Sequence, residues 1–98
     1  MMKLMLTPIA VKDLQGIKKY IAEDNEDIAV KTVQSIFAQI EYIQQFPHMG
    51  TDVSKRIPYV SDYKYVNWVN YVIIYKIENE YVQIYRVINR YQDITLIF

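Results

Sequence analysis

The sequence predicts an α+β fold in the order β-α-α-β-β-β, with an N-terminal helical hairpin packed on one face of a small antiparallel sheet. Three observations predict it. Apolar residues recur at helical spacing through residues 8–45, extended runs rich in Tyr, Val and Ile fill residues 63–88, and the links between neighbouring elements are short. At 98 residues the chain has room for one hydrophobic core and reads as a single domain, residues 1–98.

Lys3 to Thr7 read as a short strand. Thr7 and Pro8 then form a helix start, because Thr accepts a first-turn N–H and Pro at the first helical position loses no hydrogen bond. Ala10, Leu14, Ile17 and Ile21 follow as one apolar stripe. Gly16 interrupts this helix at a cost of about 1 kcal/mol relative to Ala. Its lack of a side chain would let another backbone come close.

The segment Glu23-Asp24-Asn25-Glu26-Asp27 breaks the pattern. Asn25 caps a second helix, with Glu26 and Asp27 near its positive end. Ala29, Val33, Ile36, Ile40 and Ile43 make its buried stripe, Phe37 and Phe46 widen it, and Pro47 and Gly50 end it. So short a link folds the two helices back as a hairpin.

From Tyr59 the period becomes extended. Tyr63 to Trp68, Tyr71 to Ile77 and Tyr81 to Ile88 read as strands, with turns at Val69-Asn70 and Glu78-Asn79-Glu80. Links this short make the strands antiparallel. The tail from Arg90 ends in Ile94-Thr95-Leu96-Ile97-Phe98, too apolar to stay loose.

Composition excludes several functions. The chain is 52% hydrophobic and 22% charged, so it folds. It has no Cys, which removes disulfides, thiolate zinc sites and thiol catalysis. No apolar run reaches the roughly 18 residues that span a bilayer, and no signal peptide is visible, so a cytoplasmic location is expected. Net charge is zero, which argues against a strongly electrostatic nucleic-acid binder. That zero is a cancellation. Residues 1–54 carry a net −2, while residues 55–98 carry +2 and eight of the ten tyrosines.

His48, the one histidine, lies in a Pro-His-Met-Gly loop without a partner and reads as solvated. The acidic run at 23–27 points its consecutive side chains in different directions, so it reads as a capping turn and not as a metal site. No Gly-rich phosphate loop, triad or metal spacing is present, and neither metal nor cofactor is expected.

Lys55, Arg56, Lys64, Lys76, Arg86 and Arg90 interleave with tyrosines in the second half. Cations with aromatic faces suit single-stranded nucleic acid. They equally suit an outer sheet face with solvated cations, and both readings stand. Arg86 shares a strand face with Val82, Ile84 and Ile88 at alternate spacing, so its charge must be paired or face a functional cleft. Asp93 is a candidate partner. A three-residue turn at 78–80 sets Arg86 opposite Val72, and a two-residue turn sets it opposite Ile73, between Tyr71 and Tyr75.

Several segments carry a family resemblance. Leu6 to Leu14, Ile17 to Asn25 and the Phe46-Pro47-His48-Met49-Gly50 helix ending resemble the opening of RelE/ParE superfamily toxins. Tyr71 to Ile77 resembles their aromatic-rich central strand, and Tyr85 to Asp93 their closing segment. The resemblance covers nearly the whole chain and is closer to the ParE branch, given the long hairpin and its Phe-Pro-x-x-Gly ending. It implies a growth-inhibiting toxin of a type II toxin–antitoxin module of the plasmid-stabilization type, acting by binding DNA gyrase and neutralised by a cognate antitoxin, with which it would form a toxin–antitoxin hetero-oligomer.

The RelE branch implies an alternative, a metal-independent, ribosome-dependent messenger-RNA endoribonuclease. Attack of a 2′-hydroxyl on phosphate needs a base, an acid and cations. Its candidates are Arg56, Lys64, Arg86 and Arg90 for phosphate and Tyr85 or Tyr91 for proton transfer. The chain departs from that branch at Asn89, where many relatives have His, at Gln92, where they have Arg, and at Lys64 in place of Arg. Asn cannot exchange a proton at neutral pH, and Lys lacks the two-pronged guanidinium geometry. A third reading is an inactive homologue kept as an antitoxin-binding module. Lys64, Arg86, Arg90 and Tyr91 are the target-binding candidates. The antitoxin is expected in an apolar groove beside the helical hairpin or at a sheet edge. Ile94, Leu96, Ile97 and Phe98 are its candidate contacts, unless the tail packs on its own sheet.

Overall fold

Strand β1 (Lys3–Leu6) runs directly into helix α1 (Pro8–Ala22), and Thr7 makes the junction. The structure, a computed structural model, describes all 98 residues. Thr7 Oγ1 accepts the Ala10 N–H at 3.0 Å, and Pro8 takes the first helical position, as the sequence predicts. Helix α2 (Glu26–Gln45) begins at Asn25, whose Oδ1 accepts the Ile28 N–H at 3.0 Å. Gly16 faces solvent, and a side-chain carbon there would have no neighbour within 4 Å. No backbone approaches it, so the room left by its missing side chain serves no close contact.

Three strands form the centre of the sheet: β3 (Tyr63–Trp68), β4 (Tyr71–Glu78) and β5 (Tyr81–Asn89), with a two-residue strand β2 (Thr51–Asp52) preceding them. The order across the sheet is β1-β5-β4-β3-β2. It departs from the all-antiparallel expectation at one edge, where β1 pairs parallel with β5. No short turn links these two strands, and the whole helical hairpin intervenes, so nothing local dictates their direction. Strand β2 pairs Thr51 with Tyr65 and Asp52 with Lys64. It is too short to show an alternating pattern.

The helices cover one sheet face. There Ala10, Leu14, Ile36, Ile40 and Ile43 pack on Ile73, Tyr75, Val82, Ile84 and Val87. The other face has its own core of Val53, Ile57, Val72, Ile74, Ile88 and Ile94. Strand β4 is therefore buried on both sides, and Val72, Ile73, Ile74 and Tyr75 make an unbroken apolar run. Tyr75 is fully buried, yet its hydroxyl donates to Pro47 O at 2.7 Å and accepts the Gly50 N–H at 3.0 Å. A side-chain carbon on Gly50 would collide with that hydroxyl, which is why glycine ends this turn.

A bulge sets the register of β5. Tyr75 pairs with Ile84 but Ile74 pairs with Arg86, leaving Tyr85 as the extra residue. Arg86 thus sits opposite neither Val72 nor Ile73. Simple alternation fails here: Val82, Ile84 and Val87 belong to the helix-side core, whereas Ile88 belongs to the other.

Candidate functional site

Past Ile84, β5 keeps β4 on one side but loses β1 on the other, because β1 ends at Leu6 and the chain turns into α1. Asp13 of α1 takes over that open edge. Its carboxylate accepts the Val87 N–H at 3.0 Å, Arg86 Nε at 2.8 Å and Arg86 Nη2 at 3.0 Å. Arg86 is therefore paired with Asp13 and not with Asp93. Hydrogen bonding to Asp13 raises the guanidinium pKa further and outweighs the opposing desolvation. Asp93 instead accepts Thr95 N–H at 2.9 Å and Thr95 hydroxyl at 2.7 Å, capping the turn Ile94–Leu96. Those bonds hold its carboxyl below the usual range.

The other sequence-predicted residues lie apart. Lys64 pairs across the sheet with Tyr75, which places it on the helix-covered face, and its ammonium lies 2.8 Å from Asp52. That hydrogen bond holds the Asp52 carboxyl below the ordinary value. Arg56 lies on the opposite face, its guanidinium 5.5 Å from the Tyr65 ring centre. Tyr85 is there too, with ring centres 4.9 Å from Tyr63 and 5.9 Å from Phe98. Arg90 and Tyr91 stand beyond the end of β5, joined to each other by a 3.0 Å hydrogen bond and a guanidinium–ring contact of 4.9 Å. The six residues a ribonuclease would need are spread over both sheet faces, one edge and an exposed turn, and no shared phosphate position emerges.

The tail divides. Ile94 is buried in the second core, Ile97 and Phe98 pack against that core, and the Phe98 ring lies 5.1 Å from Tyr63. Of the apolar tail residues only Leu96 points out, with 83% of its surface exposed.

Two surfaces complete the picture, the first an expected apolar groove beside the hairpin whose residues the sequence did not name, the second unexpected. One is an apolar groove of about 190 Å³ along the helical hairpin, lined by Leu6, Val11, Leu14, Val33 and Phe37 with Gln15 and Lys18 at its rim. All but Leu6, which ends β1, are hairpin positions, but Val11 and Phe37 lie at the margins of the buried stripes, and only packing shows that they stay half open. The other is the end of the domain where the β3–β4 turn meets the helices. It contains Val69, a residue with positive φ where glycine is usual.

No group of three or more His, Asp or Glu side chains is arranged to hold a metal ion, and no helix is long and apolar enough to cross a membrane.

The fold agrees with the comparisons. The family model described as "ParE toxin of type II toxin-antitoxin system, parDE" matches residues 4–94. A solved structure from P. aeruginosa, described as a chromosomal ParDE TA system, superposes with a TM-score of 0.72 at 25% identity, over 91% of this chain and 96% of that one. No curated protein matches. With the model matched from Leu4 to Ile94, through both helices and the four longer strands, this chain belongs to the ParE toxin family of type II toxin–antitoxin systems.

Proposed function

We propose that the chain inhibits growth by binding its target, DNA gyrase, without catalysis, and that a cognate antitoxin neutralises it by seating an apolar segment in the groove along the helical hairpin. The observation that carries the first part is the dispersal of the catalytic candidates. Arg86 is tied to Asp13, and Lys64 to Asp52 on the opposite face from Arg56, while Asn89, in the place where the resemblance to the RelE branch expects His, cannot exchange a proton at neutral pH. Binding needs no such convergence. Lys64, Arg86, Arg90 and Tyr91 were the target contacts expected from sequence, and only Arg90 and Tyr91 of these are exposed and free of a carboxylate partner.

For the antitoxin, the groove offers an apolar floor with Lys18 at its edge. This suits an amphipathic helix that also brings a carboxylate. Of the tail, Ile94, Ile97 and Phe98 are engaged by their own sheet, and Leu96 remains available to extend the interface.

The deciding experiment is gyrase supercoiling with the purified toxin. Inhibition at micromolar concentration, relieved by the antitoxin, is expected. Unchanged supercoiling together with new cleavage ends on translated message would replace this reading with the ribonuclease one. Harmless overexpression would leave an inactive antitoxin-binding homologue.

A further inference from the structure

The two tight turns of the sheet make an internal comparison. Each has one residue with positive φ at its first position: Asn79 at 55° in the β4–β5 turn and Val69 at 54° in the β3–β4 turn. Asparagine adopts that conformation readily. A β-branched valine does so only under strain. Val69 gains nothing from burial in return, since 67% of its surface is exposed.

The strained valine does not stand alone. It borders a cleft containing Ile28 of α2, and the adjoining cleft on the other side of Tyr71 contains Tyr20 of α1 and Tyr91. Ile28 is 52% exposed, and Tyr20 and Tyr91 are each 77% exposed. One end of the domain therefore presents four large apolar or aromatic side chains around a single buried-edge tyrosine. These helix positions are not those of the antitoxin groove, which uses Val11, Leu14 and Lys18 of α1 and Val33 and Phe37 of α2.

We propose that this end, centred on Val69, is the surface that engages the toxin's target protein. The proposal rests on the toxin reading above and names the part of the molecule that carries it out. Charge selects the class of partner. The α1–α2 turn at the same end carries Glu23, Asp24, Glu26 and Asp27, all exposed and none in an ion pair, against Lys19, Lys31 and Arg90. The net negative charge repels a phosphate backbone. It fits a protein surface with an apolar centre and a basic rim, and exposed Tyr and Arg are the side chains that most often anchor such contacts.

The test is growth arrest on induction in a bacterial host, with thermal unfolding of the same variants. Val69→Asn relieves the turn and removes the apolar side chain. It is expected to raise Tm by about 4–8 °C and yet to need at least about tenfold more inducer for arrest. Tyr20→Ala is expected to weaken arrest similarly with Tm unchanged. Arrest undiminished in both variants overturns the target surface alone. A lowered Tm for Val69→Asn overturns the strain argument on which the choice of Val69 rests. A wild-type chain that does not arrest growth overturns the toxin reading, and this surface with it.

Discussion

The Arg86 guanidinium grips the Asp13 carboxylate through Nε at 2.8 Å and Nη2 at 3.0 Å, and the same carboxylate accepts the Val87 N–H at 3.0 Å. One side chain of α1 thus does for β5 what a neighbouring strand would do. It satisfies the edge N–H where β1 has ended, and it neutralises a cation among apolar neighbours. The bulge at Tyr85 and this pair occupy the same stretch of strand, where the sheet edge changes hands from β1 to α1.

Removing Asp13 should therefore cost more than removing Arg86. Asp13→Ala leaves a partly buried guanidinium and a backbone N–H without partners, a loss of about 1–3 kcal/mol. Arg86→Met keeps the apolar stem and frees only the carboxylate, which still holds the Val87 N–H, so a smaller loss is expected. Urea unfolding of both variants checks the order. Equal losses would mean that the carboxylate acts on the charge alone and not on the strand edge.

Tyr75 and Gly50 fasten the end of α2 to the sheet. Tyr75→Phe should cost about 1–2 kcal/mol, because Pro47 O and the Gly50 N–H lose a partner in a dry site. Gly50→Ala should be worse, since the new carbon overlaps the Tyr75 hydroxyl and must displace either a buried ring or backbone. Burial also raises the Tyr75 pKa above the ordinary phenol value. Stability should accordingly fall as pH rises from about 10 toward that raised value, and this alkaline limb should be shallower in Tyr75→Phe.

The helices were legible in the sequence almost to the residue, because capping and periodicity are local. Thr7, Pro8 and Asn25 announce both helix starts, and the apolar stripes announce their buried faces. The three central strands were legible for the same reason. What escaped was non-local. The parallel β1–β5 pairing joins residues nearly eighty positions apart, and the extra residue at Tyr85 shifts every later face of β5 by one. Arg86 was recognised as a charge needing a partner. The partner was hidden because Asp13, the one carboxylate of α1, lies 73 residues away in sequence, and only the packing of α1 against the bulged edge brings the two together.

Gly16 gives the opposite kind of prediction. It lies inside α1 with open space where a side chain would be, and its φ is not in the left-handed region. Gly16→Ala should therefore stabilise the domain by about 0.5–1 kcal/mol, through helix propensity and a less free unfolded chain. A thermal melt would show a Tm higher by several degrees, and an unchanged or lower Tm would mean that a partner surface or an alternative backbone needs the glycine.

On the acid side, Asp52 and Asp93 set the expectation. Lys64 holds the first carboxyl and Thr95 the second below the unfolded carboxylate value of about 3.9. Both are deprotonated at neutral pH in either state, so their stabilisation is present above that value and is lost as pH falls through the lower folded values. Tm measured from pH 6 to pH 2 should drop below about pH 4, and the double variant Asp52→Asn, Asp93→Asn should drop less steeply. Both groups are solvent-exposed, so salt should weaken the effect.

The groove along the helical hairpin yields the prediction that separates neutralisation from toxicity. Phe37 and Val11 are each somewhat over a third exposed and line an almost wholly apolar surface with Lys18 at its edge. Phe37→Asp places a charge there without touching the buried stripe of Ala29, Ile36, Ile40 and Ile43. Affinity for the co-expressed antitoxin, read by co-purification and calorimetry, should fall at least about tenfold. Growth arrest should then persist in the presence of antitoxin. Leu96→Asp, on the exposed shoulder of the tail, should weaken binding less, because its neighbours Ile94, Ile97 and Phe98 remain packed on their own sheet. If Leu96→Asp abolishes binding and Phe37→Asp leaves it intact, the antitoxin runs along the tail and not along the helices.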